Sequence, residues 1–335
     1  MSSETTHGLV TRSELRSGPL GLVGLVIGMF ADFERCRDPP GPFKTQHVRL
    51  ITIKTSHFCE KARWVLDLVE ADETSPFYYT EDPHPPLFHA FASVEASHDL
   101  GSKTPCVLIK SSLQDDRSRD FISESAAIQR HFLRSAYPPE IVHSVQAMED
   151  YLDEKLGPPV RCLLHCYLLL PHYQHTAIRA GASNTTKIEQ CLFTAMFPLL
   201  IGPKLRKVLN VSPESAAASK QSILEIFDNV TNRLRSNGEH FIMDSHSRSY
   251  GFTAADLTFA ALVSPLLLPE EHPLYATSRE LPSALSEFCG TLQKTVAGRH
   301  ALRMYREHRL APGGDSQAYI KCVDRNRSVA PWCPY

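Results

Sequence analysis

The chain has 335 residues, 42% of them hydrophobic and 21% charged, which is typical of a folded globular protein long enough for two domains. Its formal net charge of -2, without a long basic run, argues against nucleic acid as a partner. The nine cysteines lack zinc-type spacing, so we expect no metal and mostly reduced, packed thiols in a cytoplasmic protein.

An apolar segment near the N-terminus, "GPLGLVGLVIGMF" at 18–30, is followed by the Pro-rich stretch 36–45. At 13 residues, this segment is too short to cross a membrane. We interpret residues 1–45 as an N-terminal extension docked on the protein. Membrane contact through 18–30 is the alternative.

Residues 46–136 show the pattern of a small mixed sheet with helices. The run "VRLITI" at 48–53 predicts a strand, and apolar residues at helical spacing predict a helix over 57–71. A short strand follows at 77–80, and 81–92 is expected to be irregular. The stretch 104–110 predicts a strand, and 122–135 begins as a strand and continues as a helix. This order of elements and this length are typical of a thioredoxin-sized domain.

The chain from 144 to 312 has a different character. Its long segments have helical periodicity, and no alternating strand pattern appears. We therefore expect a helical bundle over 144–312, joined to the sheet domain near 136–143, and a C-terminal tail over 313–335.

Three polar motifs in the sheet domain could form a binding site. Ser56 begins a helix, where its hydroxyl and the helix dipole could stabilise a thiolate, or could simply cap the helix. Thr104-Pro105 opens a strand; a cis bond there would present backbone groups to a peptide-like ligand, and a trans proline at a sheet edge is the alternative. Glu124 and Ser125 could hold the ammonium and carboxylate of an amino acid, or only begin the next helix with Ser125 as its cap.

The order and spacing of these motifs resemble the glutathione transferase family. A Ser-x-x-Cys helix start is followed by Thr-Pro about 50 residues later and by Glu-Ser about 20 residues after that. In the helical half, "GFTAADLTFAALV" at 251–263 resembles the family's capping box, with Thr253 as N-cap and Asp256 at the third position. The resemblance covers roughly 46–312 and assigns no subclass.

This resemblance implies an α/β thioredoxin-like N-terminal domain followed by an all-α helical-bundle C-terminal domain. Glutathione would be the co-substrate, Ser56 the residue that activates its sulfur, and a small electrophile of a detoxification reaction the second substrate. Family members are commonly dimers, which makes a homodimer the expected partner. The glutathione site would comprise Lys103, Thr104, Pro105, Glu124 and Ser125.

Two alternative functions remain open. A thiol oxidoreductase would use Cys59 in a mixed disulfide with glutathione, although Cys59 stands at the second position of the thioredoxin cysteine pattern. A non-catalytic ligand-binding or scaffold protein could keep the same fold. We expect His57 to be an exposed residue of the first helical turn, and Arg63 and Trp64 to lie on the helix surface or at the domain interface. The electrophile pocket is expected around 144–175.

Overall fold

The computed structural model describes residues 43–72, 74–97, 103–110, 119–133, 139–244, 250–272 and 281–309. The segment 18–30 and the tail 313–335 lie outside these ranges, so the expectations about them stay predictions. Within the described ranges, no helix combines the length and the apolar character that crossing a membrane requires.

A four-stranded sheet occupies the first part of the described chain. Its order is β2-β1-β3-β4, with β1 parallel to β2 and β3 antiparallel to both β1 and β4. In the central strand, Val48 and Leu50 belong to one apolar cluster and Ile51 to another, so both faces of the sheet are covered. The strands are β1 (Gln46–Thr52), β2 (Phe77–Pro83), β3 (Cys106–Lys110) and β4 (Arg119–Ser123).

Three helices cover this sheet: α1 (His57–Ala71), α2 (His89–Ser97) and α3 (Ser125–Leu133). The chain order β1-α1-β2-α2-β3-β4-α3 is thioredoxin-like, as predicted. The prediction of an irregular 81–92 was wrong at both ends, because β2 continues to Pro83 and α2 begins at His89, and only 84–88 is irregular. A helix of nine residues with a weak apolar stripe gives little sequence signal.

The remainder of the described chain is helical, which confirms the predicted all-α C-terminal domain. A short 3-10 turn, Pro171–Tyr173, and two π turns, Phe197–Ile201 and Tyr305–Arg309, interrupt the α-helices. The helices are α4 (Pro139–Lys155), α5 (Gly157–Leu168), α6 (Gln174–Gly181), α7 (Lys187–Met196), α8 (Gly202–Val208), α9 (Pro213–Ser236), α10 (Ala254–Leu267), α11 (Ser283–Gln293) and α12 (Val296–Met304).

Helix α10 is the centre of the bundle. All of its residues are buried, and it packs against α1, α4, α5, α11 and α12. Trp64 and Val65 of α1 belong to the same apolar cluster as the helices of the bundle. The largest core of the described chain therefore joins the sheet domain to the helical domain along α1.

The capping box predicted at the start of α10 is present. The Asp256 carboxylate accepts hydrogen bonds from the backbone N–H of Thr253 at 3.0 Å and from its hydroxyl at 2.9 Å. The same carboxylate contacts the N–H of Ile242 at 2.9 Å and Nε2 of His300 at 3.0 Å. Asp256 is fully buried. If its carboxylate were removed, these buried donors would lose a hydrogen-bond partner that water could not readily replace.

We expect Asp256→Ala to lower the free energy of unfolding by about 2–4 kcal/mol, since it removes an N-terminal cap and leaves buried donors unpaired. The matched control is Ser212→Ala, which disrupts the half-buried capping box of α9 and should cost about 1 kcal/mol. Urea unfolding measures both values. Equal losses in the two variants would show that burial of Asp256 adds nothing to the cap.

Arg63 and Trp64 are not on a helix surface. Arg63 is 3% exposed, and its guanidinium pairs with Glu81 of β2 at 2.9 Å and with Glu60. Trp64 is fully buried and donates from Nε1 to the carbonyl of His308 at 3.2 Å. Trp64 was also predicted to lie at the domain interface as an alternative. That alternative agrees with its contact, because His308 belongs to the last described turn of the helical domain.

Candidate active site

The motifs singled out in the sequence lie at one edge of the sheet. Cys106, the first residue of β3, pairs with Ile51 of β1 on one side and with Ser123 of β4 on the other. At this edge the chain leaves β1 towards Ser56, enters β3 from Pro105, and leaves β4 for α3. Strand pairing therefore brings together segments that are far apart in the sequence.

Ser56 is the N-cap of α1. Its backbone is extended, with φ -80° and ψ 124°, and its side-chain oxygen accepts from the N–H of Cys59 at 3.4 Å. This distance is beyond the usual range for an N–H···O bond, so the cap is weak. The residue is partly buried and lies where the unpaired N–H groups and the positive end of the helix dipole favour an anion.

Cys59 has the surroundings of a packed thiol. It is fully buried, and its Sγ accepts from the N–H of Ile53 at 3.3 Å. Burial raises the pKa of Cys59 to about 11, against smaller lowering effects of hydrogen bonds from Ile53 and Ser56. A thiol of this kind is protonated at neutral pH and closed to solvent, which are poor conditions for thiol exchange.

The Thr104-Pro105 peptide bond is cis. The hydroxyl of Thr104 lies 3.0 Å from that of Ser93 on α2, and the Pro105 carbonyl accepts from the N–H of Glu124 at 2.9 Å. This last hydrogen bond joins the second motif directly to the third. Ser93 was not among the predicted site residues, because no helix was predicted over the residues that form α2.

Glu124 has a left-handed backbone, with φ 76°. This conformation is costly for a residue with a side chain and is concentrated at functional sites. Its carboxylate pairs with Lys103 at 2.8 Å, and about half of each side chain is exposed, at 49% and 50%. An exposed ion pair stabilises a protein by only about 0–1 kcal/mol, so the ammonium group of a ligand could replace that of Lys103 beside Glu124.

Ser125 is the first residue of α3 and is 4% exposed. Glu124 therefore occupies the position before the helix, which is that of the cap. The expectation that Ser125 caps α3 is wrong, because Ser125 is already the first helical residue. The hydroxyl and the N–H of Ser125 nevertheless lie at a helix N-terminus, where a carboxylate is favoured.

His57 is buried, at 3% exposure, which corrects the expectation of an exposed side chain. Its ring centroid lies 4.5 Å from that of Phe58. Gly157, the first residue of α5, lies against the Phe58 ring and forms a backbone hydrogen bond with His57. The approach is so close that a Cβ on Gly157 would lie 2.3 Å from the Phe58 ring. Burial, with a further effect of Arg161, lowers the pKa of His57 to about 3.

Arg161 and His165 of α5 lie beside His57, and we call these three residues the basic cluster. The Arg161 guanidinium is 6.0 Å from the centroid of the Phe58 ring, and the Arg161 carbonyl lies 2.8 Å from Nδ1 of His165. This grouping was not predicted, because α5 has an apolar sequence and lies about 100 residues after His57 in the chain.

A metal centre finds no support in the part of the chain that the structure describes. There, no group of three or more His, Cys, Asp or Glu side chains is arranged to hold a metal ion. Cys162 and Cys166, the pair in "CLLHC" on α5, are half-buried free thiols.

Comparisons with known proteins found similar solved structures, all at low sequence identity. No protein-family model and no curated protein matches the chain. Beta-etherase LigF from Sphingobium sp. strain SYK-6 is 12% identical with a TM-score of 0.44, covering 77% of this chain and 99% of its own. Ure2p in complex with glutathione is 13% identical with a TM-score of 0.40, covering 83% and 99%. Poplar glutathione transferase F1 is 13% identical with a TM-score of 0.40, covering 78% and 98%.

Proposed function

We propose that this protein is a glutathione transferase of the serine type, which activates the sulfur of glutathione for attack on a small electrophile. The observation that carries the proposal is the convergence of Ser56, Thr104-Pro105 and Glu124-Ser125 at one edge of the sheet. Each element separately has a structural explanation. Their grouping supplies, in one place, groups suited to a thiolate, a peptide backbone and an amino-acid end.

Each part of glutathione has a suitable partner in this arrangement. Glu124 would receive the ammonium of the γ-glutamyl end, and Ser125 at the start of α3 would receive its carboxylate. The backbone at Thr104 would pair with the peptide, and Lys103 would steady the backbone or the glycyl carboxylate. The sulfur would then lie at Ser56, where α1 begins.

The reaction needs no covalent intermediate with the protein. The thiol gives its proton to solvent, and the thiolate is stabilised by the Ser56 hydroxyl and the α1 dipole. The sulfur electron pair forms a C–S bond with the electrophilic carbon. A leaving group departs with its electron pair or, in an addition, the displaced electron pair takes up a proton.

Calorimetric titration with glutathione and with its glutaryl analogue, which lacks only the α-ammonium, tests this proposal. We expect wild type to bind glutathione, and Glu124→Gln to weaken that binding about 10- to 100-fold, the effect of losing one charge-assisted hydrogen bond. The same substitution should not change binding of the glutaryl analogue. The control Glu154→Gln alters an exposed carboxylate and should change neither affinity.

Two outcomes would contradict the proposal. An absence of binding at millimolar glutathione would favour the non-catalytic scaffold. Equal weakening of both ligands by Glu124→Gln would show that the carboxylate does not contact the ammonium. A cytoplasmic location and a homodimer remain part of the proposal, to be tested by fractionation and sedimentation.

A further inference from the structure

The basic cluster lies directly beside the candidate thiol site, because His57 follows Ser56 in the chain. His57 comes from the start of α1, and Arg161 and His165 come from α5, whose first residue, Gly157, lies against the Phe58 ring. The Arg161 guanidinium is 6.0 Å from the centroid of the Phe58 ring, which is 4.5 Å from that of His57. At this range the charge of Arg161 lowers the pKa of both His57 and His165.

This cluster has no acidic partner in the described chain. Within the described ranges, no carboxylate forms an ion pair with Arg161, and none shifts the pKa of His57 or His165. The buried cations of α1, by contrast, are paired with carboxylates. Arg63 pairs with Glu60 and Glu81, and Lys61 pairs with Glu149. Among the described residues, basic groups without a paired carboxylate therefore distinguish the surroundings of the candidate reaction centre.

The members of the cluster differ in charge and access. Burial lowers the pKa of His165 to about 4, as it lowers that of His57, so both rings are neutral near pH 7. Arg161 stays charged, and its side chain remains exposed enough for a ligand to reach. The His57 ring forms a hydrogen bond with the backbone of Gly157, while its Nε2 is buried and has no hydrogen-bond partner within the described ranges. A buried ring nitrogen without a partner is rare unless a ligand or water completes it.

We propose that the electrophile carries a carboxyl group, which forms an ion pair with Arg161 and shares one proton with Nε2 of His57. This inference rests on the proposed function, because it names the class of substrate taken by that site. A guanidinium without a carboxylate is suited to bidentate binding of a carboxylate. The anion would also offset the charge of Arg161 and so favour the proton on His57.

Glutathione conjugates test this inference without any chemical step. The probes are the three ring isomers of S-(carboxybenzyl)glutathione, each paired with its neutral S-(carbamoylbenzyl) isostere, and unsubstituted S-benzylglutathione. Because the sulfur is alkylated, an effect of Arg161 on a thiolate cannot contribute. We expect at least one carboxylate to bind wild type about tenfold or more tightly than its carbamoyl partner, as one charge-assisted pair implies.

Arg161→Gln should bring the ratio of the carboxylate's affinity to that of its carbamoyl partner close to one. Arg179→Gln, which changes an exposed arginine of α6, should leave this ratio unchanged. Calorimetry in two buffers of different ionisation heat should show proton uptake with the carboxylate and none with the amide. Binding without proton uptake would overturn the assignment to His57.

The failures of this inference and of the proposed function are distinguishable. If S-benzylglutathione binds and none of the three carboxylates is preferred, the carboxyl class is wrong and the proposed function stands. If no conjugate binds, including S-benzylglutathione, both are wrong.

Discussion

Replacing Lys61 with methionine is expected to lower the free energy of unfolding by about 3–5 kcal/mol, the usual cost of leaving buried charges without a partner. Lys61 is fully buried on α1, and its ammonium donates to Glu149 at 2.7 Å and to Asp153 at 2.7 Å, both on α4. Methionine keeps the aliphatic volume but removes the ammonium between the two carboxylates, and leaves Glu149 only its longer contact with Nε of Arg130, at 3.6 Å.

The loss of unfolding free energy in Lys61→Met should depend on pH. In wild type, burial already raises the pKa of Glu149 and of Asp153, although Lys61 opposes the shift. Without the lysine, both pKa values rise further. A carboxyl with a raised folded-state pKa destabilises the fold where it is ionised, so this loss should be full at neutral pH and narrow as the pH falls towards about 4.

Urea unfolding at several pH values measures this effect. The control is Lys155→Met, which removes an exposed lysine whose pair with Glu154 has 56% and 72% side-chain exposure, and which should change stability little. A Lys61→Met protein as stable as Lys155→Met at neutral pH would contradict the assigned network between α1 and α4.

The largest effect on activity is expected for Ser56→Ala. Removing the hydroxyl should lower kcat/KM for conjugation of glutathione about 10- to 100-fold at neutral pH, because one to two units of thiol pKa correspond to that change in thiolate fraction. Ser56→Thr keeps both the hydroxyl and the cap, and should retain most of the activity. The measurement is the initial conjugation rate, with folding of each variant checked by circular dichroism.

Cys59→Ala is the matched control at the other end of the same turn. Because Cys59 is buried with a raised pKa, we expect the variant to conjugate glutathione at close to the wild-type rate. Loss of thiol transfer in Cys59→Ala, with retention in Ser56→Ala, would instead establish the oxidoreductase.

Local sequence signals predicted much of the fold. The apolar spacing and the serine at 56 located α1 from its first to its last residue, and the Thr253–Asp256 pair located the start of α10. These features depend on neighbours within one or two turns, which a sequence displays directly. Helix α2 was missed because its apolar residues form only a weak stripe, unlike those of the equally short α3.

Contacts between distant residues could not be predicted in this way. The sequence of α1 alternates charged and apolar residues, which suggests a solvated face, yet Glu60, Lys61 and Arg63 are all buried. Apart from the pair between Glu60 and Arg63, their partners come from other elements: Arg309, from the last described turn, contacts Glu60 at 2.9 Å. Burial alone would raise the pKa of Glu60, but Arg309, His272 and Arg63 hold it well below its usual range.

The site was predictable to a similar extent. The order of the Ser56, Thr104-Pro105 and Glu124-Ser125 motifs indicated one site, because each motif precedes or follows a strand of one small sheet. Burial of His57 and its proximity to Arg161 depend on how α5 packs over the start of α1, which no local pattern records.

The most direct test of the central claim is the ultraviolet absorbance of bound glutathione thiolate, followed against pH in wild type and in Ser56→Ala. We expect wild type to hold glutathione with a thiol pKa below about 7.5, within the range found for thiols at helix N-termini, and Ser56→Ala to bring it back towards that of an ordinary thiol. Bound glutathione with an unchanged thiol pKa in wild type would contradict the claim and leave Ser56 as a helix cap alone.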